Sequence, residues 1–209
     1  YPMPEIDQMA KANRKIGLGI MGWAECLARC GIRYDSEAAV QLAEKTAKFI
    51  QEESRKMSEE LGQERGSFPN LPRSIFAKKH KFLRNATTTA IAPTGSISII
   101  ANSTSGIEPF FAVSFIRDVM GGTKLLEVNP YFEQLARERG FYNKQLMVKI
   151  AKSGSIQKVA GIPADVKKAF VTSFDIKPEW HVKMQAAFQK FTDNAVSKTV
   201  NMPNNAKQQ

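Results

Sequence analysis

At 209 residues the chain can bury one sizeable core or form part of a larger domain, and 24% of it is charged. No apolar run approaches the roughly 20 residues that cross a bilayer, and no basic-then-apolar leader opens it, so the expectation is a cytoplasmic chain with no membrane partner. Two cysteines exclude a disulfide framework, an opening Tyr1 in place of Met suggests a fragment, and the formal charge of +10 asks for an anionic partner or a solvated basic surface.

Tyr1 to Pro4 reads as an extended lead-in, because each proline disfavours helix at the residue before it. Ile16 to Trp23 contains a literal G-x-G-x-x-G at Gly17, Gly19 and Gly22. As a dinucleotide fingerprint it needs a buried strand just before it and an acid about 20 residues later. Gln8 to Lys15 is polar and basic instead, and Asp35 and Glu37 come too early. Glycines that let a helix pack closely account for the motif better, and an NAD(P)-dependent dehydrogenase stays as the alternative. Cys26 and Cys30 lie four apart on the helix that follows, with no second pair or histidine near in sequence. They read as small buried residues, with no metal site.

Asp35 or Ser36 caps the longest helix, expected to end near Leu61, before Gly62. Val40, Ala43, Ala47, Ile50, Met57 and Leu61 form its apolar stripe, with Glu44–Lys48 and Glu52–Lys56 as ion pairs on the wet side. Acids interleave with the bases there. Lys78, Lys79, His80, Lys81 and Arg84 make a local basic cluster ahead of the next strand, which either steers a nucleotide toward the site or, as the preferred reading, is a solvated loop. A nucleic-acid-binding module therefore rests on net charge alone, and no nucleic acid is expected as partner.

The stretch from Asn85 to Phe111 carries one formal charge, Glu108. Thr87 to Ile91 reads as a strand buried on both faces. Pro93-Thr94-Gly95-Ser96 turns the chain, and Ile97 to Ala101 can start a helix. Such a turn presents free backbone N–H groups and the positive end of a helix dipole, which suits a phosphate. It is also what an ordinary turn capped by Thr94 or Ser96 looks like. Glu108 is either a hydrogen-bond acceptor near a ribose or a structural partner for backbone N–H groups.

Phe110 to Ile116 reads as a strand, and Gly121-Gly122 as the turn of a hairpin between 111–118 and 123–128. Helices follow over 130–139 and 144–151, then from Pro163 and from Pro178. Trp180, Met184, Ala187 and Phe191 form the buried stripe of the last, with His181 beside it as a packing residue. Val196 to Met202 alternates with period two, as a strand does, and the tail 204–209 is polar.

Several phrases, in order, resemble the catalytic subunit of ribonucleotide reductase, closest to the adenosylcobalamin-dependent type. They are Ala92-Pro93-Thr94-Gly95-Ser96-Ile97-Ser98 with Ser105-Gly106-Ile107-Glu108-Pro109, Asn13 to Gly19, Arg65 to Asn70, Leu126 to Pro130, Pro178 to Val182 with Gln185 to Phe188, and Asp193 to Asn201. The resemblance implies an α/β fold, helix-rich, in which residues 1–203 are the C-terminal portion of a ten-stranded barrel. It implies reduction of ribonucleotides to deoxyribonucleotides by radical chemistry. Ala92, Pro93, Thr94, Gly95, Ser96 and Ile97 would hold the substrate phosphate, and Glu108 would face the substrate pocket. The implied cofactor is adenosylcobalamin, its site completed by segments beyond this chain, and the implied partners are a ribonucleotide, the N-terminal half of the reductase and a second copy in a homodimer. The family's radical cysteine, its two reducing cysteines and its Asn and Glu beside the radical find no match here. The chain therefore carries no catalytic residue in this reading and is expected to be inactive alone.

Overall fold

In the computed structural model, residues 1–119, 123–202 and 206 are described, and the chain forms two units interleaved in sequence. The first takes Tyr1–Ile20, Gln41–Ala92 and Gln185–Ser197; the second takes Met21–Val40, Pro93–Met184 and Lys198–Gln209.

In the first unit the expected extended lead-in ends at Met3, and α1 (Pro4–Asn13) follows, a helix that the sequence pattern did not reveal. Pro4 stands at the first helical position, where its missing N–H costs nothing, and Arg14 ends the helix in a left-handed conformation. The backbone then extends beside Thr87–Ile91. Ile16 N–H donates to Thr87 O at 3.1 Å, Leu18 N–H to Thr88 O at 2.8 Å and Ala90 N–H to Leu18 O at 3.0 Å. On the other side Asn194 N–H donates to Thr89 O at 3.1 Å, Ile91 N–H to Ala195 O at 3.2 Å and Ser197 N–H to Ile91 O at 2.9 Å. Both pairings are parallel but each is a single bridge, Leu18 to Thr89 and Val196 to Ile91, so Thr87–Ile91 is an extended segment between two neighbours rather than the continuous buried strand expected.

This geometry corrects two expectations. Gly17 and Gly19 do not serve helix packing: a Cβ on either would collide with Ala90, so the glycines let two extended backbones approach. What precedes them is α1 rather than a strand, so the dinucleotide fingerprint has no structural context. The strand expected over Val196–Met202 does not form either: a single parallel bridge joins Val196 to Ile91, and the pairing ends at Ser197.

The longest helix, α3 (Glu37–Arg65), starts where Ser36 Oγ accepts the Ala39 N–H at 3.2 Å. It runs past Gly62, whose missing side chain lets the backbone of Leu83 and Arg84 approach. Ala43, Ala47 and Ser58 are buried, but Met57 is exposed. The ion pairs differ from those expected: Lys48 lies 3.7 Å from Glu52, and Glu44 pairs with Lys190 at 3.1 Å. A minor core of Phe68, Leu71 and Leu83 packs below the short turn η1 (Leu71–Arg73).

In the second unit Gly22 (φ 75°) opens α2 (Trp23–Arg29), followed later by α4 (Gly95–Ile100). The antiparallel hairpin of β1 (Ser114–Val119) and β2 (Thr123–Val128) pairs Ser114 with Val128; its expected turn at Gly121-Gly122 lies outside the described residues. Phe110, upstream of β1, forms a single parallel bridge to Thr172 rather than part of a long strand. Then come α5 (Pro130–Glu138), α6 (Lys144–Ser153) and α7 (Ala164–Ala169), with Pro163 as N-cap rather than first helical residue. Phe110, Phe132 and Phe170 make the aromatic centre of the core, with rings 5.2–5.3 Å apart about Phe170, joined by Met147 and Ile150. The last helix is α8 (Pro178–Gln189). Its buried positions include His181, Met184, Ala187 and Phe188, so His181 lies on the stripe rather than beside it, while Trp180 is half-buried.

Candidate functional site

The stretch leaving Ile91 ends in an open helix start. Ala92 and Pro93 are exposed, and Thr94 adopts φ 53°, ψ 27°, an uncommon conformation for a β-branched residue. The Thr94 hydroxyl caps no N–H of α4; it accepts the Gly106 N–H at 2.9 Å. The first intrahelical bond runs from Ser98 N–H to Thr94 O at 2.9 Å. The N–H groups of Gly95, Ser96 and Ile97 consequently have no protein acceptor among the described residues. All three residues are exposed, and space is open where a Gly95 Cβ would stand.

Gly95 and Ser98 also line a groove of about 820 Å³ in the second unit. Ser98 Oγ and Ser105 Oγ, 2.8 Å apart, stitch α4 to the loop that carries Glu108. Glu25 steadies the same loop, accepting Thr104 N–H at 3.0 Å and Thr104 Oγ1–H at 2.6 Å. Phe111, 70% exposed and edge-on to Phe174, gives the groove an apolar side. Glu108, Thr199 and Asn201 give it a polar one.

Glu108 accepts the Thr199 N–H at 2.7 Å and bonds Lys198 Nζ at 2.5 Å, with about a quarter of its side chain open. The structural role weighed from sequence is thus present at a position that also borders the groove. Lys198 is fully buried and donates further to Thr199 O at 2.6 Å and to His181 Nδ1 at 2.9 Å. An ammonium has no lone pair, so Nδ1 is the acceptor and the imidazole is the neutral Nε2–H form. Burial pushes His181 below its ordinary value, and the Lys198 charge acts the same way. Burial also lowers Lys198, opposed by Glu108. Nearby, the buried Tyr34 hydroxyl donates to Ile107 O at 2.7 Å, and burial with the Glu108 charge raises it well above the phenol range.

Sequence reasoning missed Lys198. Its signal was a lone cation in an alternating apolar run, with its carboxylate 90 residues away.

The remaining candidates lie elsewhere. Cys26 and Cys30 are exposed, correcting the expectation of buried thiols; partial burial and Cys30 raise the Cys26 thiol. In the basic cluster His80 Nδ1 is paired with Glu59 at 2.5 Å, and Arg84 donates to Arg65 O and Gly66 O. Among the described residues no three metal-ligating side chains converge, and no helix is long and apolar enough to cross a membrane.

The profile of the ribonucleotide reductase barrel domain matches residues 1–83 and 77–209. The vitamin B12-dependent ribonucleoside-diphosphate reductase of Mycobacterium tuberculosis is 51% identical over 203 residues, which is 97% of this chain and 29% of that protein. The protein of the same name from Thermoplasma acidophilum is 48% identical over 206 residues, 99% of this chain and 27% of its own length. Among solved structures, the class Id ribonucleotide reductase alpha subunit of Actinobacillus ureae superposes with a TM-score of 0.75 at 30% identity, over 91% of this chain and 34% of that one. The chain thus spans under a third of the curated relatives just described.

Proposed function

Since the chain belongs to the ribonucleotide reductase family through its barrel domain, we propose that it forms the substrate-phosphate side of a reductase that converts ribonucleotides to deoxyribonucleotides. The observation that carries this reading is the uncapped start of α4: three consecutive exposed N–H groups at Gly95, Ser96 and Ile97, beside a groove that Gly95 shares with Glu108. A phosphate there accepts several backbone donors at once and meets the positive end of the helix. Ala92 and Pro93 shape the approach, and Thr94, tied to Gly106, holds the turn open.

In the reaction the family resemblance implies, the ribose 2′-hydroxyl leaves as water, hydrogen takes its place, and two thiols become a disulfide. Relatives named vitamin B12-dependent point to adenosylcobalamin as the source of the initiating radical. Neither histidine is free to ligate cobalt: His181 is buried against Lys198, and His80 is held by Glu59. The cofactor seat and the thiols are therefore assigned to segments beyond these residues, together with the partner half and the homodimer. For the chain itself the proposed role is to bind and orient the nucleotide. Residues 1–203 are proposed as one portion of the barrel, and 204–209 as its polar tail.

The test is binding of a ribonucleoside diphosphate such as CDP, followed by calorimetry. Saturable binding weakened by Gly95→Val supports the reading, because a β-branched side chain stands where phosphate must approach the backbone. Equal binding by both proteins sinks it.

A further inference from the structure

The groove wall is held from behind by a cation that the reductase reading leaves unused. We propose that Lys198 is a positioning residue: its buried ammonium clamps the Glu108 carboxylate and the His181 ring, and so fixes the segment Thr199–Asn201 along the groove where the nucleotide would lie.

The inference starts from valence. A lysine ammonium has three N–H donors and no acceptor. Here three acceptors surround it: Glu108 Oε2 at 2.5 Å, His181 Nδ1 at 2.9 Å and Thr199 O at 2.6 Å. The side chain is fully buried, so all its bonding is internal. Glu108 then closes a second link by accepting the Thr199 N–H at 2.7 Å. The peptide units flanking Thr199 are therefore fixed through both their N–H and C=O, one by the carboxylate and one by the ammonium. Glu108, Thr199 and Asn201 line the groove while Lys198 does not, so the ammonium acts on the groove surface through them without touching a ligand itself.

A buried charge is retained only when paired and fully hydrogen-bonded, because each ion gives up its hydration. A bond between Glu108 and the Thr199 N–H alone would need no cation. The addition of His181, fully buried on α8, is what makes the arrangement specific: it spans α8, the Glu108 loop and the segment after Ser197. The charged and titratable groups that face the pair are Glu108 and Asp35 on the acidic side and Tyr34 on the neutral side, with Arg33 bound to Asp35 at 2.6 Å. The Ser173 backbone also favours a proton on the ring, while Nε2 lies outside hydrogen-bonding geometry. Removing the ammonium leaves Glu108 as the dominant charge beside the ring, so His181 should then gain a proton more readily.

This inference rests on the groove being the nucleotide site, and the test separates the two. Lys198→Met keeps length and volume but deletes the charge. Lys198→Met with Glu108→Gln also removes the orphaned carboxylate, which guards against a single variant that fails to fold. Histidine ring resonances are followed by NMR against pH, and CDP binding by calorimetry, in the whole protein. The clamp predicts that the His181 midpoint rises in Lys198→Met, and less in the double variant. It also predicts that CDP binds about tenfold more weakly in each folded variant, equivalent to about 1.4 kcal/mol of binding free energy. A merely structural lysine would lower the melting temperature without moving the His181 midpoint, and that result overturns the clamp. An unchanged affinity for CDP in a folded variant overturns it as well. If the unaltered protein does not bind CDP, the nucleotide reading falls, while the His181 titration still decides whether Lys198 holds the ring.

Discussion

Thr87–Ile91 and Thr94–Ser98 stand a few residues apart and are rich in the same small hydroxyl residues, yet their polar groups meet opposite fates. In the first, almost everything is consumed internally. Thr88 N–H and Oγ1–H both donate to Asp193 Oδ2, at 2.7 and 3.1 Å, and Asp193 Oδ1 accepts Arg55 Nη2 at 2.7 Å. Thr89 Oγ1 accepts the Asp193 N–H at 2.9 Å, and Asn194 Nδ2 donates to Thr87 Oγ1 at 3.1 Å. In the second, the Thr94 hydroxyl is spent on Gly106 and the N–H groups after it stay open. Hydroxyl-rich sequence by itself does not mark a ligand site. What marks one is donors left over after the fold has taken what it needs.

The largest effect should come from breaking the saturated region. Asp193→Ala strands Arg55, whose side chain is only 15% exposed, and leaves the Thr88 N–H without an acceptor. Loss of one partner of such a buried pair costs about 3–5 kcal/mol, to be read from denaturant unfolding. A cost below about 1 kcal/mol would show that the pair is solvated and the contrast with the open turn overstated.

The glycines sharpen the comparison. Gly19→Ala puts a methyl group against the Ala90 carbonyl and should destabilise by about 1–3 kcal/mol of overpacking. Gly95→Ala meets nothing within 4 Å, at an ordinary helical first position, so stability should stay within about 0.5 kcal/mol. Its effect, if the phosphate reading is right, appears in CDP affinity instead. One glycine serves the fold, and the other is proposed to serve the site.

Much of this division was legible in the sequence. Thr87–Ile91 reads as central because it is short, β-branched and uncharged, and it does lie between two parallel neighbours, although each joins it through a single bridge and no ladder forms. The turn at Thr94 reads as an open helix start because small residues follow a buried strand. Other features depend on contacts too distant in sequence for local pattern to encode. The Glu108–Lys198–His181 network joins residues up to 90 positions apart. Gly62 looks like a helix stop, yet the helix continues, because the approach of Leu83 outweighs the propensity penalty. The strand pattern after Val196 fails because Lys198 turns to Glu108 and His181 instead of continuing a ladder.

Alkaline titration probes the buried side of the groove with a smaller effect. Tyr34 is buried, its hydroxyl donates to Ile107 O, and its folded pKa lies well above the unfolded value of 10.0. The folded state holds this proton after the unfolded chain has lost it. The phenol's contribution is therefore fully present below about pH 10 and declines as pH rises through and beyond that value. Tyr34→Phe should lower neutral-pH stability by about 1 kcal/mol, the worth of one hydrogen bond, and flatten the alkaline fall. An alkaline profile identical in both proteins would mean the phenol titrates as it does in solvent.

The smallest effect is expected at Cys26 and Cys30, where chemistry would be most conspicuous if the chain carried the radical step itself. Both are exposed, neither lines the groove, and the Cys26 thiol is raised rather than lowered. A thiol tuned for nucleophilic or redox work needs a neighbouring cation or a helix N-terminus to favour its thiolate. Cys26 has another thiol as its neighbour, and Cys30 closes the C-terminal end of α2, away from that helix's N-terminus. Alkylation of Cys26 at neutral pH should therefore be slower than for a free thiol. Cys26→Ser and Cys30→Ser should leave both unfolding midpoint and CDP affinity within error. With adenosylcobalamin, a dithiol and a ribonucleotide, the chain alone should form no deoxyribonucleotide, and supplying an N-terminal half with the radical cysteine should restore it. Turnover by the isolated chain that Cys26→Ser abolishes would move the chemistry onto α2 and remove the reason for assigning this chain only the phosphate side.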